Sequence, residues 1–320
     1  MTILTTLTGA DVDAVLLPYG LRRQHIAPTI GGVENTNYLI AAEDAQGSHA
    51  LVLTLIESQP SHASWFLPTI LDRLQAAGLP TPQLRRTLTG AAAVRWSGRR
   101  VLLCSCIAGE HRTQVSADDC AAIGRFLARQ HRALHDLCSD APRHPRQPAW
   151  MHQQVEALAT HIPPWQHALL VDGLTQADSL FTRTDYQALP EAVVHGDLFR
   201  DNALFTAQGL SGVIDFHHAA VHKRAFDIAV AINDWCDDTT QGLSAARMQA
   251  LLRAYHGVAP LTALELALLP ALLSYAALVF SLSRLQGHAE RPDGYGKSPL
   301  PMLYRLSQRG APPWPQIRID

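Results

Sequence analysis

The sequence predicts a two-lobed α+β fold: a small antiparallel sheet first, then a larger, mostly helical lobe. Three observations carry this. Short runs rich in Val, Leu and Thr, bounded by Gly, Pro and Asn clusters, crowd the first 107 residues. Beyond Gly109, apolar residues recur at helical spacing over long stretches. One strand-loop-strand stretch, Val193 to Phe216, interrupts the helices and gathers carboxylates and an amide around its turns. The expected division is residues 1–107 and 108–320.

Asp11 to Leu17 suits a short first helix that stops near Pro18-Tyr19-Gly20. A strand-turn-strand unit follows, with Ile30 to Asn37 turn-rich and Tyr38 to Ala42 apolar. After a polar turn, Ala50 to Ile56 reads as a strand. Trp65 to Ala77 has helical periodicity and ends at Gly78, with Pro80 and Pro82 beyond. Ala91 to Trp96 and Val101 to Ile107 complete the small sheet. In the second lobe Asp118 to Leu137 is a long helix with Ser116 as N-cap. Ala149 to His161 and Trp165 to Tyr186 are helices around a Pro163-Pro164 break. Asp227 to Cys236, Ser244 to Tyr255 and Thr262 to Leu285 are helices again, and the last fifteen residues, with Pro312, Pro313 and Pro315, read as a surface tail.

Composition narrows the function classes. With 47% hydrophobic and 17% charged residues the chain is globular, and a net charge of −2 gives no basic field for nucleic acid or an anionic membrane. Five cysteines, an odd number without a C-x-x-C pair, fit a reduced cytoplasmic protein better than a disulfide framework. The first residues lack the basic n-region of a signal peptide. Leu266 to Leu282 carries no charge, but at 17 residues with Pro270, Ser274, Tyr275 and Ser281 it reads as a buried helix rather than a membrane span.

The chemistry concentrates in V-V-H-G-D-L-F-R-D-N-A-L-F, Val193 to Phe205, followed by G-V-I-D-F, Gly212 to Phe216. Its H-x-D-L-x-x-x-N spacing matches the kinase catalytic-loop pattern. Phosphoryl transfer needs one acid for a hydroxyl proton and oxygen ligands for magnesium. Asp197 is the expected base, Asn202 and Asp215 the Mg²⁺ ligands, and His195 a structural support of the loop. Arg200 and Asp201 are solvated flanks, or Arg200 faces a phosphate. A competing reading is metal-assisted hydrolysis, with His195, Asp197, Asp215, His217 and His218 as ligands. It requires further close His/Asp pairs; His131 and His135 stand at i, i+4 but outside any H-E-x-x-H.

These motifs resemble the aminoglycoside phosphotransferase–choline kinase superfamily, whose loop reads H-G-D-x-x-x-x-N and whose later motif is I-D-F. Within it, G-G-V-E-N-T-N-Y-L (Gly31 to Leu39), L-V-L-T-L-I-E (Leu51 to Glu57), Ile123 to His131, A-F-D-I-A-V-A-I-N-D-W-C (Ala225 to Cys236) and the stretch from Leu251 to Leu266 resemble the homoserine kinase group. The matches span nearly the whole chain. The resemblance implies a protein-kinase-like fold that uses ATP and Mg²⁺ to phosphorylate the hydroxyl of L-homoserine, giving O-phospho-L-homoserine for threonine biosynthesis. It implies no nucleic-acid or membrane partner, and leaves the oligomeric state open.

One departure from kinases at large stands out. Of 26 Lys and Arg residues only Lys223 and Lys297 are lysine, so the small lobe has none. Many kinases pair a third-strand lysine with a helix glutamate; here Thr54 holds the strand position and the helix offers only Asp72. The homoserine kinase group carries threonine there, and the Asp197–Asn202–Asp215 set is intact. Phosphate charge then falls to Mg²⁺, to backbone N–H groups of Gly31 and Gly32, or to arginine. Asn35 belongs to the same nucleotide-side motif, and the backbone at Cys104 to Cys106 is the expected adenine contact, although a plain buried strand explains these cysteines equally well. Asp227 is expected to brace the loop. Asp234 and Trp235 are candidates for a substrate ammonium, or simply a helix end over the core. Of the arginines usual in that group near residues 274–284, Ser274 and Val279 replace two and Arg284 remains. Alternatives are a kinase of the same fold for another amino alcohol or an aminoglycoside, and a nucleotide-binding pseudokinase.

Overall fold

The computed structural model describes residues 4–29, 34–57, 62–238, 242–291 and 297–309. They form two compact units that part between Ala108 and Gly109.

In the first unit, α1 (Gly9–Leu16) starts on a Thr8 cap reciprocated by Asp11, which satisfies two N–H groups that the helix itself cannot. The strands are β1 (Arg22–Pro28), β2 (Thr36–Asp44), β3 (Gly47–Leu55), β4 (Val94–Trp96) and β5 (Arg99–Ser105), with α2 (His62–Ala76) between β3 and β4. They make one antiparallel sheet in the order β1-β2-β3-β5-β4. Strand alternation decides which face is buried: Tyr38, Ile40 and Ala42 of β2 and Leu51, Leu53 and Leu55 of β3 all turn inward, onto Val12, Val15 and Leu16 of α1. Each buried leucine contributes about 1.5–3 kcal/mol. The sheet edge β1 is mostly exposed, and its R-R-Q-H-I-A-P sequence lacks the alternation that marks a half-buried strand.

The second unit begins with α3 (Ala117–Ala133), capped by Ser116 and Asp119, then α4 (Pro148–Leu158), α5 (Pro164–Phe181) and the single turn α6 (Thr184–Gln187). Four short strands follow: β6 (Glu191–Val194), β7 (Ala203–Thr206), β8 (Gly209–Val213) and β9 (Ala220–Lys223), paired as β6 with β9 and β7 with β8. Next come α7 (Arg224–Trp235), β10 (Asp237–Asp238), β11 (Gly242–Leu243), α8 (Ala245–His256), α9 (Ala263–Glu290) and α10 (Leu300–Arg309).

Three expectations need correction here. The stretch from Trp165 to Tyr186 is two helices, interrupted at Thr182 and Arg183. The long helix of the second lobe ends at Ala133, with Leu134 capping it and a 3₁₀ turn at His135–Leu137. The supposed tail starts inside α10, whose Met302, Leu303 and Leu306 are buried; residues 310–320 lie outside the described residues. Among the described residues α9 is the one helix long and apolar enough to cross a membrane, but 72% of its most apolar window is buried inside the protein. Its apolar residues pack on α5, α7 and α10.

Candidate active site

The loop after β6 is built around a buried carboxylate. Asp227, fully buried in the first turn of α7, accepts hydrogen bonds from the backbone N–H groups of His195 (2.7 Å) and Gly196 (2.9 Å). Its Oδ2 also meets His131 Nε2 at 3.0 Å, and His131 Nδ1 lies 2.8 Å from the Tyr255 hydroxyl. Burial penalises the Asp227 charge, yet the bond and charge of His131, the charge of His195 and the Gly196 N–H outweigh it and hold the carboxyl below its ordinary range. His131 and Tyr255 therefore join α3 and α8 to the loop. In the sequence His131 enters as half of an i, i+4 histidine pair and as the end of the Ile123–His131 match, neither of which gives its role; a histidine on the apolar face of α3 was the available signal.

Gly196 sits at φ +79°, and a Cβ there would lie 3.0 Å from the His218 carbonyl oxygen and 3.3 Å from His144 Nε2. Only glycine turns this tightly here. The buried His195 ring has Ile214 O 3.0 Å from Nε2 and accepts the Asp197 N–H at Nδ1 (3.3 Å), so its two partners favour the tautomer protonated at Nε2. That ring ties the loop to the strand end carrying Asp215.

Asn202 Nδ2 donates to the Asp197 carbonyl (2.8 Å) and to Asp197 Oδ2 (3.0 Å). Both donations turn the amide nitrogen toward Asp197 and leave the carbonyl Oδ1 for another group. Asp215 stands in the left-handed region at φ 65°, ψ 61°, a conformation that is uncommon for a residue with a side chain and marks functional turns. Asp197 itself is pushed upward by burial, with Asp215 adding to the rise, while the charges of His218, Lys297 and Arg146 oppose it. One amide oxygen and one carboxylate suit a hard cation that keeps its remaining positions for water or phosphate. No group of three or more His, Cys, Asp or Glu residues able to hold a metal occurs among the described residues.

Several expected site residues have other commitments. Arg200 does not reach outward: its N–H (2.7 Å), Nε (3.2 Å) and Nη2 (3.5 Å) all donate to Asp234. Asp234, also 3.9 Å from Arg305, is thereby neutralised inside the fold and is not an open ammonium site. Trp235 is fully buried, donates its indole N–H to Leu198 O (3.1 Å) and packs on Phe205, so it presents no face to a ligand. Arg284 donates to Ser298 O at 3.2 Å and lies 5.4 Å from the Phe199 ring centre.

In the first unit, Gly31 and Gly32 lie outside the described residues. Thr54 donates its hydroxyl to Asn37 Oδ1 (2.6 Å), and Asn35 Oδ1 accepts the Glu57 N–H (3.3 Å). Thr36 bonds the Glu57 carboxylate, which also takes Arg99 at 2.8 Å. The E-N-T-N and L-V-L-T-L-I-E motifs are thus two sides of one interaction: they lock β2 to β3. Of the Cys104 to Cys106 backbone expected to meet adenine, the Cys106 N–H donates to Ala50 O (2.9 Å). Cys104 pairs with Val52, and burial pushes its thiol up to about 12, far from any reactive thiolate.

The second unit also holds a groove of about 720 Å³ lined by Gly109 to Gln114 and Phe205 to Ala207. Mutual backbone hydrogen bonds of 2.9 Å between Glu110 and Phe205 form its floor, and the Arg112 guanidinium lies 4.6 Å from the Phe205 ring centre.

Comparison with known proteins identifies the family. Residues 25–261 match the phosphotransferase enzyme family. A homoserine kinase of Pseudomonas aeruginosa (strain LESB58) is 37% identical over 286 residues, covering 89% of this chain and 88% of that protein. A homoserine kinase of Methylobacillus flagellatus is 35% identical, covering 89% and 87%. Among solved structures, amicoumacin kinase hAmiN in complex with AMP-PNP, Ca²⁺ and Ami superposes with a TM-score of 0.68 at 19% identity, covering 92% of this chain and 90% of that one. With its two-unit α+β architecture and its braced H-G-D loop, the chain is a kinase and belongs to the phosphotransferase enzyme family.

Proposed function

We propose that the chain transfers the γ-phosphoryl group of ATP to the side-chain hydroxyl of L-homoserine. The observation that carries this is the braced loop bearing Asp197 and Asn202, tied by His195 to the strand end that bears Asp215, in a chain similar to curated homoserine kinases. Asp197 accepts the hydroxyl proton as the substrate oxygen bonds to the γ-phosphorus. The bond from that phosphorus to the β,γ-bridging oxygen breaks, and ADP leaves. Asp197 is oriented by two donations from Asn202 and by the loop that Asp227 holds. Mg²⁺, when bound to Asn202 Oδ1 and Asp215, supplies positive charge to the phosphates. Residues 1–107 serve as the nucleotide lobe and 108–320 as the catalytic and substrate lobe. The product is O-phospho-L-homoserine, an intermediate toward threonine, and the enzyme acts in the cytoplasm.

The test is ADP release with L-homoserine, choline, ethanolamine and kanamycin, using wild type and Asp197→Asn. Turnover with homoserine that falls by about 10²–10⁴-fold in Asp197→Asn is expected. No homoserine turnover above the ATP background overturns the proposal. Turnover with one of the other alcohols redirects it to that substrate, and Mg²⁺-ATP binding without turnover to a pseudokinase.

A further inference from the structure

Two lysines occur in this chain, and the fold treats them differently. Lys223 is consumed internally: its Nζ donates to Gln187 O (2.8 Å) and Leu189 O (3.1 Å) and pairs with Glu191 at 3.3 Å. Lys297 reaches the catalytic loop, where its Nζ lies 2.8 Å from Asp201 Oδ2. The backbone that carries it is pinned, since its carbonyl lies 3.0 Å from His288 Nε2 and the next carbonyl, Ser298 O, accepts from Arg284 Nη1 at 3.2 Å. Both partners sit near the C-terminal end of α9, so this is an anchored lysine and not a loose surface one.

Its surroundings resemble a ligand subsite. Lys297 Nζ is 5.9 Å from the Phe199 ring centre and the Arg284 guanidinium 5.4 Å from the same ring. Phe199 meets Phe280 edge-on with centroids 4.6 Å apart, and Arg146 stands 5.4 Å from Phe280. Three cations thus flank this edge-on aromatic pair, of which Phe199 stands two residues beyond Asp197. Burial works against the Lys297 charge, but Asp197 and Asp201 more than restore it and keep the ammonium protonated, although Arg284 repels it. An ammonium has three N–H donors. Asp201 takes one, and two point to no protein acceptor among the described residues.

Building on the homoserine reading, we propose that Lys297, with Arg284 beside it, forms the anion-recognition end of the alcohol subsite and takes the substrate's carboxylate while the substrate hydroxyl faces Asp197. Phe199 and Phe280 are themselves buried and form the packed apolar support beneath these cations. The same cations disfavour choline, ethanolamine and aminoglycosides, which bring positive charge and no carboxylate. Substrate choice in this chain is then set by what surrounds the loop, not by the loop itself.

The test compares L-homoserine with L-homoserine amide, which keeps the hydroxyl and the amine but loses the negative charge. Wild type, Lys297→Met and Lys297→Arg are assayed for kcat and KM of both substrates and of ATP. In Lys297→Met the homoserine KM is expected to rise roughly 10- to 100-fold, as for loss of a charge-assisted hydrogen bond. The preference for acid over amide should collapse toward unity, the ATP KM should stay within about twofold, and Lys297→Arg should recover most of the preference. An equal fall in kcat for acid and amide would mean that Lys297 serves the transferred phosphoryl group or the loop, and overturns the inference. So does a preference that survives in Lys297→Met. Wild type that turns over neither substrate removes the homoserine reading, and this inference with it.

Discussion

Replacing Gly124 by alanine should destabilise the protein, against the direction that helix propensity gives. Gly124 lies inside α3, where alanine normally gains roughly 0.5–1 kcal/mol over glycine. Here a Cβ would stand 2.2 Å from the Leu251 carbonyl oxygen, 3.0 Å from its carbonyl carbon and 3.2 Å from its Cα. These are backbone atoms of α8 and cannot swing aside as a side chain would. Ordinary contact begins near 3.4 Å, so the two helices must separate by about an ångström at this crossing. Overpacking of this kind costs about 1–3 kcal/mol. Subtracting the propensity gain still leaves a net loss of up to about 2 kcal/mol, a drop of several degrees in Tm for a unit of this size. The site feels it too. His131 lies two turns further along α3 and Tyr255 one turn further along α8, and their 2.8 Å bond bridges the pair of helices that the methyl pushes apart. Losing that bond loosens His131 on Asp227, so kcat should fall together with stability. Urea unfolding and steady-state ADP release on the same preparation measure both. Stabilisation by 0.5 kcal/mol or more, with kcat intact, would refute the close-approach argument.

Asp227→Asn should cost about 3–5 kcal/mol, because an amide cannot satisfy three converging donors without turning its own N–H₂ toward one of them; chemical denaturation reads this directly. Losing even an outer partner of a metal ligand costs 10–100-fold in affinity, so Asn202→Ala should raise the Mg²⁺ needed for half-maximal rate by at least about tenfold in an Mg²⁺ titration. Stability should fall with acid for a named reason. Burial lowers the His222 pKa to about 4, so between the ordinary histidine value near 6.5 and about 4 the unfolded chain binds more protons than the folded one. Unfolding free energy should decline as pH drops through that window, by about 2–4 kcal/mol for this group. His222→Phe should flatten this acid limb of urea midpoint against pH, and an unchanged limb would clear His222 of the effect.

The fold was legible where burial is one-sided. Tyr38 to Ala42 reads as an unbroken apolar run, which marks a strand, and the structure adds that Tyr38, Ile40 and Ala42 turn inward while Leu39 and Ala41 are exposed. The edge strand β1 has no such pattern, because an exposed edge is held by backbone pairing with β2 rather than by its side chains. At the C-terminus the expected tail rested on Pro312, Pro313 and Pro315, which lie outside the described residues; the apolar stripe of Met302, Leu303 and Leu306 makes the chain before them helical. Thr182 and Arg183, by contrast, carry no strong breaker signal, and their side chains bond locally, to Ser179 O and Asp185.

Site legibility divides along the same physical line. Asp197, Asn202 and Asp215 are close in sequence, so spacing and residue type sufficed to single them out. Trp235 and Asp234 looked like ligand groups because a carboxylate beside an aromatic ring has the right chemistry, but helix phase turns the indole into the core and Arg200 neutralises the acid. Lys297 failed to register for the opposite reason. It stands nearly a hundred residues after the loop, with no motif around it, and only the return of the chain after α9 brings it to Asp201. The absence of lysine from the first 222 residues was read as a missing phosphate clamp. Within the second unit, Lys297 is fixed beside the loop, with Arg284 and Arg146 around the same aromatic pair, and the homoserine reading needs such cations for a substrate carboxylate. Under that proposal Ser274 and Val279, where the resembled group carries arginine, leave the substrate carboxylate to Lys297 and Arg284.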